Sequence, residues 1–151
     1  MSKTDTTAST VTGETSAISQ VFPYAILIAR IVVGSIFLAH GWFKVDTLGM
    51  AGTSDYFAGI GIPLSDLAAY VVTALELVGG LAIILGALLP VFGILLALNM
   101  IGAFWFAHAP AGFWANEGGY EFVVSLAATT LMIGFSGGGA FAADKKLGLY
   151  R

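Results

Sequence analysis

Cysteine is absent from this chain, and charge is scarce. Without a thiol there is no disulfide, no thiolate redox chemistry, no iron–sulfur ligation and no Cys-based zinc site, while the compartment stays open. Charged side chains fill 10% of the 151 positions, six basic and nine acidic, where a soluble domain carries roughly 25%. The few cations are spread thinly and form no patch that could hold nucleic acid. Apolar residues make up 58% of the chain and mean hydropathy is +0.91. This composition belongs in a lipid bilayer.

Residues 1–20 are rich in Ser and Thr with little apolar content, so a disordered tail is expected there. No basic leader runs directly into an apolar stretch as a signal peptide requires. Residues 21–145 hold four apolar segments, at about 22–43, 66–88, 91–108 and 119–136, and 146–151 form a short basic tail. Pro63 and Ser65 give the second segment a helix-start signal, and Gly137, Gly138 and Gly139 close the fourth. A bilayer core asks for about 20 helical residues, and lipid offers no partner to an open strand. The expected fold is all-α, a four-helix transmembrane antiparallel bundle in one domain. Four spans bring both termini to one side, and Lys3, Lys145, Lys146 and Arg151 put that side in the cytoplasm by the positive-inside tendency. Lys44, on the other side, opposes it.

Two sets of polar residues stand out against this background. Arg30 lies about eight residues into the first segment, roughly 12 Å at 1.5 Å per residue, and an isolated Arg at such depth costs about 2.5–3.5 kcal/mol. Glu76, about eleven residues into the second segment, is the one carboxylate deep enough to answer it. Arg30 and Glu76 are therefore expected to form a buried intramembrane pair, either as a structural lock on helix register or as a proton relay. Gly34 and Gly41 share the Arg30 face, and Thr73 and Gly80 flank Glu76, which allows close helix approach.

The second set collects at the opposite, extracytoplasmic edge. His40 and Lys44 end the first segment, His108 ends the third, Glu121 opens the fourth, and Trp42, Trp105, Trp114 and Tyr120 surround them. An aromatic interfacial belt explains the tryptophans but leaves two converging histidines and a glutamate unexplained. His40, His108 and Glu121 are the candidate catalytic residues; Lys44, Trp42, Asn99, Trp105, Trp114 and Tyr120 are candidate binding residues. A metal site of two His and one Glu has chemical precedent, yet the spacing matches no metal motif and no metal is expected. A quinone carbonyl bonded by His40 or His108 suits a mostly apolar pocket with few polar groups; a docking surface for a soluble partner is the other option. Asn99 falls about 180° around the third helix from His108 at 100° per residue, so the two share a site only if the helix ends before His108.

The stretches ARIVVGSIFLAHGWFK, FAGIGIP, ELVGGLAIILG, NMIGAFWFAHAPAGFW and GGYEFVVSLAATTLMIGFSGGGAFAAD resemble the DoxX family of small four-helix membrane proteins, over roughly residues 24–145. The family's motif positions fall on Arg30, His40, Gly41, Lys44, Glu76, Gly79, Gly80, Asn99, His108, Gly119, Glu121 and Asp144. Ala142, Ala143 and Asp144 depart from the family's usual Ser-Leu-Asp, and the turn between the second and third segments lacks its basic residue. The resemblance implies redox work in the inner membrane of a prokaryote, since some relatives are subunits of thiosulfate:quinone oxidoreductase and others resemble partners of secreted redox enzymes.

Three functions remain open at this point. The first is a quinone-linked redox subunit; without cysteine or a histidine pair at haem spacing, its electron carrier must come from a partner subunit or a bound cofactor. The second is a non-catalytic scaffold that recruits soluble redox proteins. The third is a small-solute transporter, resting on a midplane Arg–Glu pair. The expected partners are the lipid bilayer and a partner subunit or a second copy of the chain.

Overall fold

A computed structural model describes residues 11–146 and residue 148 of the chain, and these residues contain helices and no strand. Helix α1 runs over Val11–Asp46, α2 over Gly49–Gly59, α3 over Ser65–Leu85 and α4 over Leu89–Ala103. A π turn at Phe104–His108 and a 3-10 turn at Ala109–Ala111 prolong α4, a second 3-10 turn spans Ala115–Glu117, and α5 (Glu121–Phe135) and the short α6 (Ala143–Lys146) complete the fold. Residues 1–10 of the expected disordered tail, and most of the basic tail, lie outside the described residues; from Val11 onward the backbone is already helical.

Three helical runs are long and apolar enough to cross a membrane: Ala17–Asp46, Ser65–Leu85 and Leu89–Ala111. Helix α5 is equally apolar but has 15 residues, about 22 Å at 1.5 Å per residue against a hydrocarbon core near 30 Å. The segment between α1 and α3, which the four apolar segments leave out, contains α2. Its sequence GMAGTSDYFAG is too polar and glycine-rich to announce a helix, and it turns Thr53, Ser54 and Phe57 inward.

Glycine sets the two principal helix pairings, α1 on α3 and α4 on α5. A methyl added at Gly34 would lie 2.5 Å from the backbone oxygen of Gly80 and from the Ile84 side chain, and one at Gly41 would meet Leu77 and the Glu76 Cβ. The antiparallel register of α1 on α3 is thereby fixed: position 34 is level with 80–84, and 41 is level with 76–77. On the other pair, a methyl at Gly93 would stand 2.9 Å from the Gly134 Cα. Phe37, Ile83, Leu89, Leu96 and Ile133 fill the interior between the pairs.

The turn from α3 to α4 is closed by the chain's far end. Gly86 adopts φ +71, the left-handed cap that glycine tolerates, and Ala87 N–H bonds back to the Ala82 carbonyl at 2.9 Å. Residues 138–144 then fold across this turn, with Ala140 N–H on the Pro23 carbonyl at 2.8 Å and Asp144 N–H on the Gly86 carbonyl at 2.9 Å. The Asp144 carboxylate accepts from Leu88 and Leu89 N–H at 2.7 and 2.8 Å. These are two of the donors that a helix start leaves unsatisfied.

Candidate functional site

Arg30 belongs to this closed end, and it does not pair with Glu76. Its guanidinium is 1% exposed and donates to four carbonyls: Ile83 at 3.0 Å, Ile84 at 2.6 Å, Gly138 at 2.7 Å and Ala140 at 3.0 Å. Two of these are terminal carbonyls of α3, where a helix leaves acceptors unpaired and its dipole favours a cation. The other two belong to the returning segment. The expected Arg30–Glu76 pair fails for a reason of register. With position 34 level with 80–84, Arg30 comes opposite the C-terminus of α3, whereas Glu76 comes opposite the last turns of α1. The planar fork of five donors then finds enough carbonyls to need no carboxylate across the bundle.

Glu76 instead faces Lys44. Lys44 Nζ stands 2.5 Å from Glu76 Oε2, with side chains only 15% and 4% exposed, and Asn99 Nδ2 donates to Glu76 Oε1 at 3.3 Å. Helices α1, α3 and α4 thus each bring one polar side chain to a single point. That point lines a cavity of about 660 Å³ whose other walls are largely apolar, among them Phe37, Phe43, Phe57, Phe106, Phe122 and Leu126. His40 and His108 line the same cavity. His40 Nδ1 approaches the Ile36 carbonyl at 2.9 Å and His108 Nδ1 the Gly118 carbonyl at 2.7 Å. A carbonyl can only accept, so each Nδ1 carries a proton and each ring turns its Nε2 away from that contact.

His108 and Asn99 reach one cavity because α4 gives way to a π turn at Phe104. A π turn advances each residue through a smaller angle than an α turn, so His108 does not complete the half-turn that regular geometry assigns it. The helix does not end before His108, as the sequence reading required; the run continues to Ala111, and its change of winding at Phe104 brings the two residues to one cavity.

Other expected members lie elsewhere. Glu121 accepts from Ala115 N–H at 2.7 Å and lines a separate groove of about 380 Å³ beside Tyr120 and Phe113; its carboxylate fastens the loop before α5, and the His40–His108–Glu121 cluster is not assembled. Among the described residues no group of three His, Asp or Glu side chains is placed to hold a metal ion. Trp42, Trp105 and Trp114 are 61%, 71% and 59% exposed and none lines the cavity. Tyr120 is packed edge-on against Phe104 at 5.1 Å and Phe113 at 5.6 Å. The ring walls are phenylalanines, together with Tyr56 of α2.

Sequence reasoning missed the place of Glu76 in the cavity, the contribution of α2 and the capping role of Asp144. The first had a visible signal. Laying Gly34 against Gly80, the closest approach that two glycines on facing helices allow, puts Arg30 opposite Ile84 and Glu76 opposite Leu38, two turns from Arg30 and within reach of the long Lys44 side chain from the next turns of α1. The second had none, since no apolar run marks α2.

The chain matches the DoxX family over residues 25–109, a stretch that holds Arg30, His40, Lys44, Glu76, Asn99 and His108. It is 35% identical over 123 residues to the protein named "Putative oxidoreductase CatD" of Bacillus subtilis (strain 168), covering 82% of this chain and 87% of that one. It is 29% identical over 136 residues to "Inner membrane protein YphA" of Escherichia coli (strain K12), covering 82% and 91%. With "Inner membrane protein YqjF" of the same organism it shares 31% over 123 residues, covering 81% and 91%. No solved structure matches the chain. Three helical runs of membrane-crossing length and these inner-membrane relatives make it a multi-pass inner-membrane protein, and the family match and the extent of the CatD similarity make it a member of the DoxX family.

Proposed function

We propose that this chain is the membrane subunit of a quinone-linked redox system and that the cavity walled by α1 to α5 is its quinone site. One observation carries the reading: Lys44, Glu76, Asn99, His40 and His108 all line one phenylalanine-walled cavity in a chain with few charges. Its volume falls within the roughly 300–1,000 Å³ of small-molecule sites, and an apolar enclosure with few convergent polar groups is their usual form. A quinone is an apolar ring with oxygens at its edge and fits that description. The printed name of CatD supports oxidoreductase work in this family. The sequence has no cysteine through which this chain could carry electrons itself, so a partner subunit or a bound cofactor supplies them.

In this reading α5 is the fourth span of a four-helix bundle, and both termini face the cytoplasm. Lys145 and Lys146 stand at the end closed by Arg30, which favours that end as the cytoplasmic one and puts the cavity toward the extracytoplasmic edge. A scaffold that docks soluble redox proteins is the second reading, favoured by the outward Trp42, Trp105 and Trp114. The transporter reading has lost its main support, because Arg30 bonds to carbonyls and Glu76 to Lys44 instead of to each other.

The test is an organic extract of protein purified gently from its native membrane, assayed for isoprenoid quinone by mass spectrometry beside His108→Ala. Near-stoichiometric quinone in the wild type, lost from the variant, supports the quinone site. Its absence from both shifts the conclusion to the scaffold.

A further inference from the structure

Within the quinone-site reading, on which this inference rests, the ligand's polar contact is open to assignment. The histidines are the obvious candidates, but His40 is exposed and His108 half-buried. Of the cavity's five charged, amide and imidazole side chains, Glu76 alone is fully buried, and the half-buried Lys44 and Asn99 both bond to it. Nothing in helix packing requires this group. Gly34 and Gly41 already bring α1 against α3 at backbone contact, and a buried ion pair is a poor source of stability because desolvation offsets its attraction.

The group's unused valences indicate what it would take. The Lys44 ammonium has three N–H donors and spends one on Glu76, which leaves two at the cavity wall. Asn99 spends its amide N–H₂ on Glu76, so its Oδ1 is an acceptor that can turn to the cavity. Charge is already balanced, since Glu76 neutralises Lys44. The group therefore offers one donor face and one acceptor, with no net charge to attract an anion or a cation.

We propose that Lys44 and Asn99, held by Glu76, are the receptor for one ring oxygen of an uncharged quinone and of its hydroquinone. Lys44 donates to that oxygen when it is a carbonyl. Asn99 Oδ1 accepts from it when it is a hydroxyl. Glu76 does not touch the ligand; it is a positioning residue that holds both partners and sets the charge of the site to zero. Both oxidation states are thus held at one place, and anionic ring carboxylates are rejected.

The experiment uses the full chain in detergent and a benzoquinone with a decyl tail, its hydroquinone, and a naphthoate carboxylate as probes. Binding is measured by calorimetry, and the ring C=O stretch of the bound, ¹³C-labelled quinone by infrared difference spectroscopy. The C=O stretch of the wild-type complex is expected to fall below its value in detergent alone. In Lys44→Met/Glu76→Gln, where no buried charge is left unpaired, the stretch should return to that value and quinone affinity should drop about ten- to a hundredfold, the worth of one hydrogen bond from a charged donor. Asn99→Leu should weaken the hydroquinone more than the quinone. Glu76→Gln alone leaves the site cationic and should gain affinity for the naphthoate, which the wild type does not bind, a change that a merely structural role would not produce. Wild-type quinone binding with an unshifted stretch, and unchanged affinity in the double variant, would overturn this assignment while leaving the quinone site standing. No quinone binding by the folded wild type would overturn both.

Discussion

Removing Arg30 tests the register that separates it from Glu76. Its guanidinium is the common partner of four carbonyls drawn from two segments, the end of α3 and the returning residues 138–140. A hydrogen bond to a charged group is worth about 1.5–3 kcal/mol net, and an orphaned buried acceptor about 1–3 kcal/mol. The four bonds are not additive, because losing the guanidinium also removes its desolvation cost. Arg30→Met should then destabilise the fold by roughly 3–5 kcal/mol, the range for breaking a buried charged group's partnership. Arg30→Lys keeps the charge but replaces a planar fork with a point donor. It cannot serve both segments at once and should cost about 2 kcal/mol, near the worth of one charged hydrogen bond. Glu76 lies about 12 Å along α3 from Ile84 at 1.5 Å per residue, beyond direct contact. A double-mutant cycle of Arg30→Met with Glu76→Gln should therefore give a coupling within about 0.5 kcal/mol of zero. The same cycle with Asp144→Asn, whose carboxylate acts electrostatically on Arg30, should exceed that value. Equilibrium unfolding in mixed SDS micelles measures all of these. Strong coupling of Arg30 to Glu76, or an Arg30→Lys variant as stable as wild type, would refute the placement.

Other perturbations address the remaining contacts. Asp144→Ala removes the acceptor of two N–H groups at the start of α4 and should cost about 0.5–2 kcal/mol, the range for a lost helix cap, in the same unfolding assay. Gly34→Ala drives a methyl against the Gly80 backbone oxygen, an overpacking of about 1–3 kcal/mol, whereas Gly59→Ala meets nothing within 4 Å and should be neutral to within about 0.5 kcal/mol. Glu76→Leu alone leaves a buried ammonium uncompensated and should cost about 3–5 kcal/mol, yet Lys44→Met with Glu76→Leu should restore near-wild-type stability, because apolar replacement of a buried pair is often neutral or better. Trp42, Trp105 and Trp114 point outward, so their fluorescence in bilayers should be quenched by brominated lipids; a tryptophan that resists quenching is not at the lipid surface.

Much of the fold was legible because membrane helices announce themselves by composition. The second segment, expected at 66–88, ends at Leu85 because Gly86 takes the left-handed cap, a stop that the glycine itself signals. The third was read as ending at His108, and the helical run does pass that residue, but its change of winding at Phe104 has no mark in a sequence of uniformly apolar residues. Helix α2 was illegible for the opposite reason: small and polar residues separate its few large apolar ones, so no apolar run marks it, and it packs on both α3 and α1. For the site, His40, Lys44, Asn99 and His108 were found as separate residues of suitable chemistry, and the cavity does gather all four. The failures were pairings. Depth counted from the ends of apolar segments made Arg30 and Glu76 level. But α1 starts well before the apolar stretch, so its end is no ruler, and the ruler is the glycine contact between α1 and α3. Glu121 was drawn into the cluster by its place at a helix start, the same place that gives it a loop N–H to cap.

Among the described residues the buried charges gather at two ends, Arg30 with Asp144 and Glu76 with Lys44, which answer to different demands, and their geometry tells them apart. At the closed end, the donors of Arg30 meet four carbonyls and both carboxylate oxygens of Asp144 meet backbone N–H groups. Four donor contacts of Arg30 and two acceptor contacts of Asp144 there go to backbone that the lipid cannot solvate, which is the requirement that membranes place on any irregular turn. At the other end, Lys44 and Asn99 satisfy Glu76 but keep donors and an acceptor in reserve beside an apolar cavity. A structural charge in a membrane is saturated by the protein around it. On the quinone-site reading, a charge kept for a ligand is left partly unsaturated and held at neutral balance, as Lys44 is beside Glu76. If Lys44→Met/Glu76→Leu restores stability but abolishes quinone retention, the two demands are separated in one molecule; if it restores both, the pair is a remnant of packing and the histidines must bear the ligand.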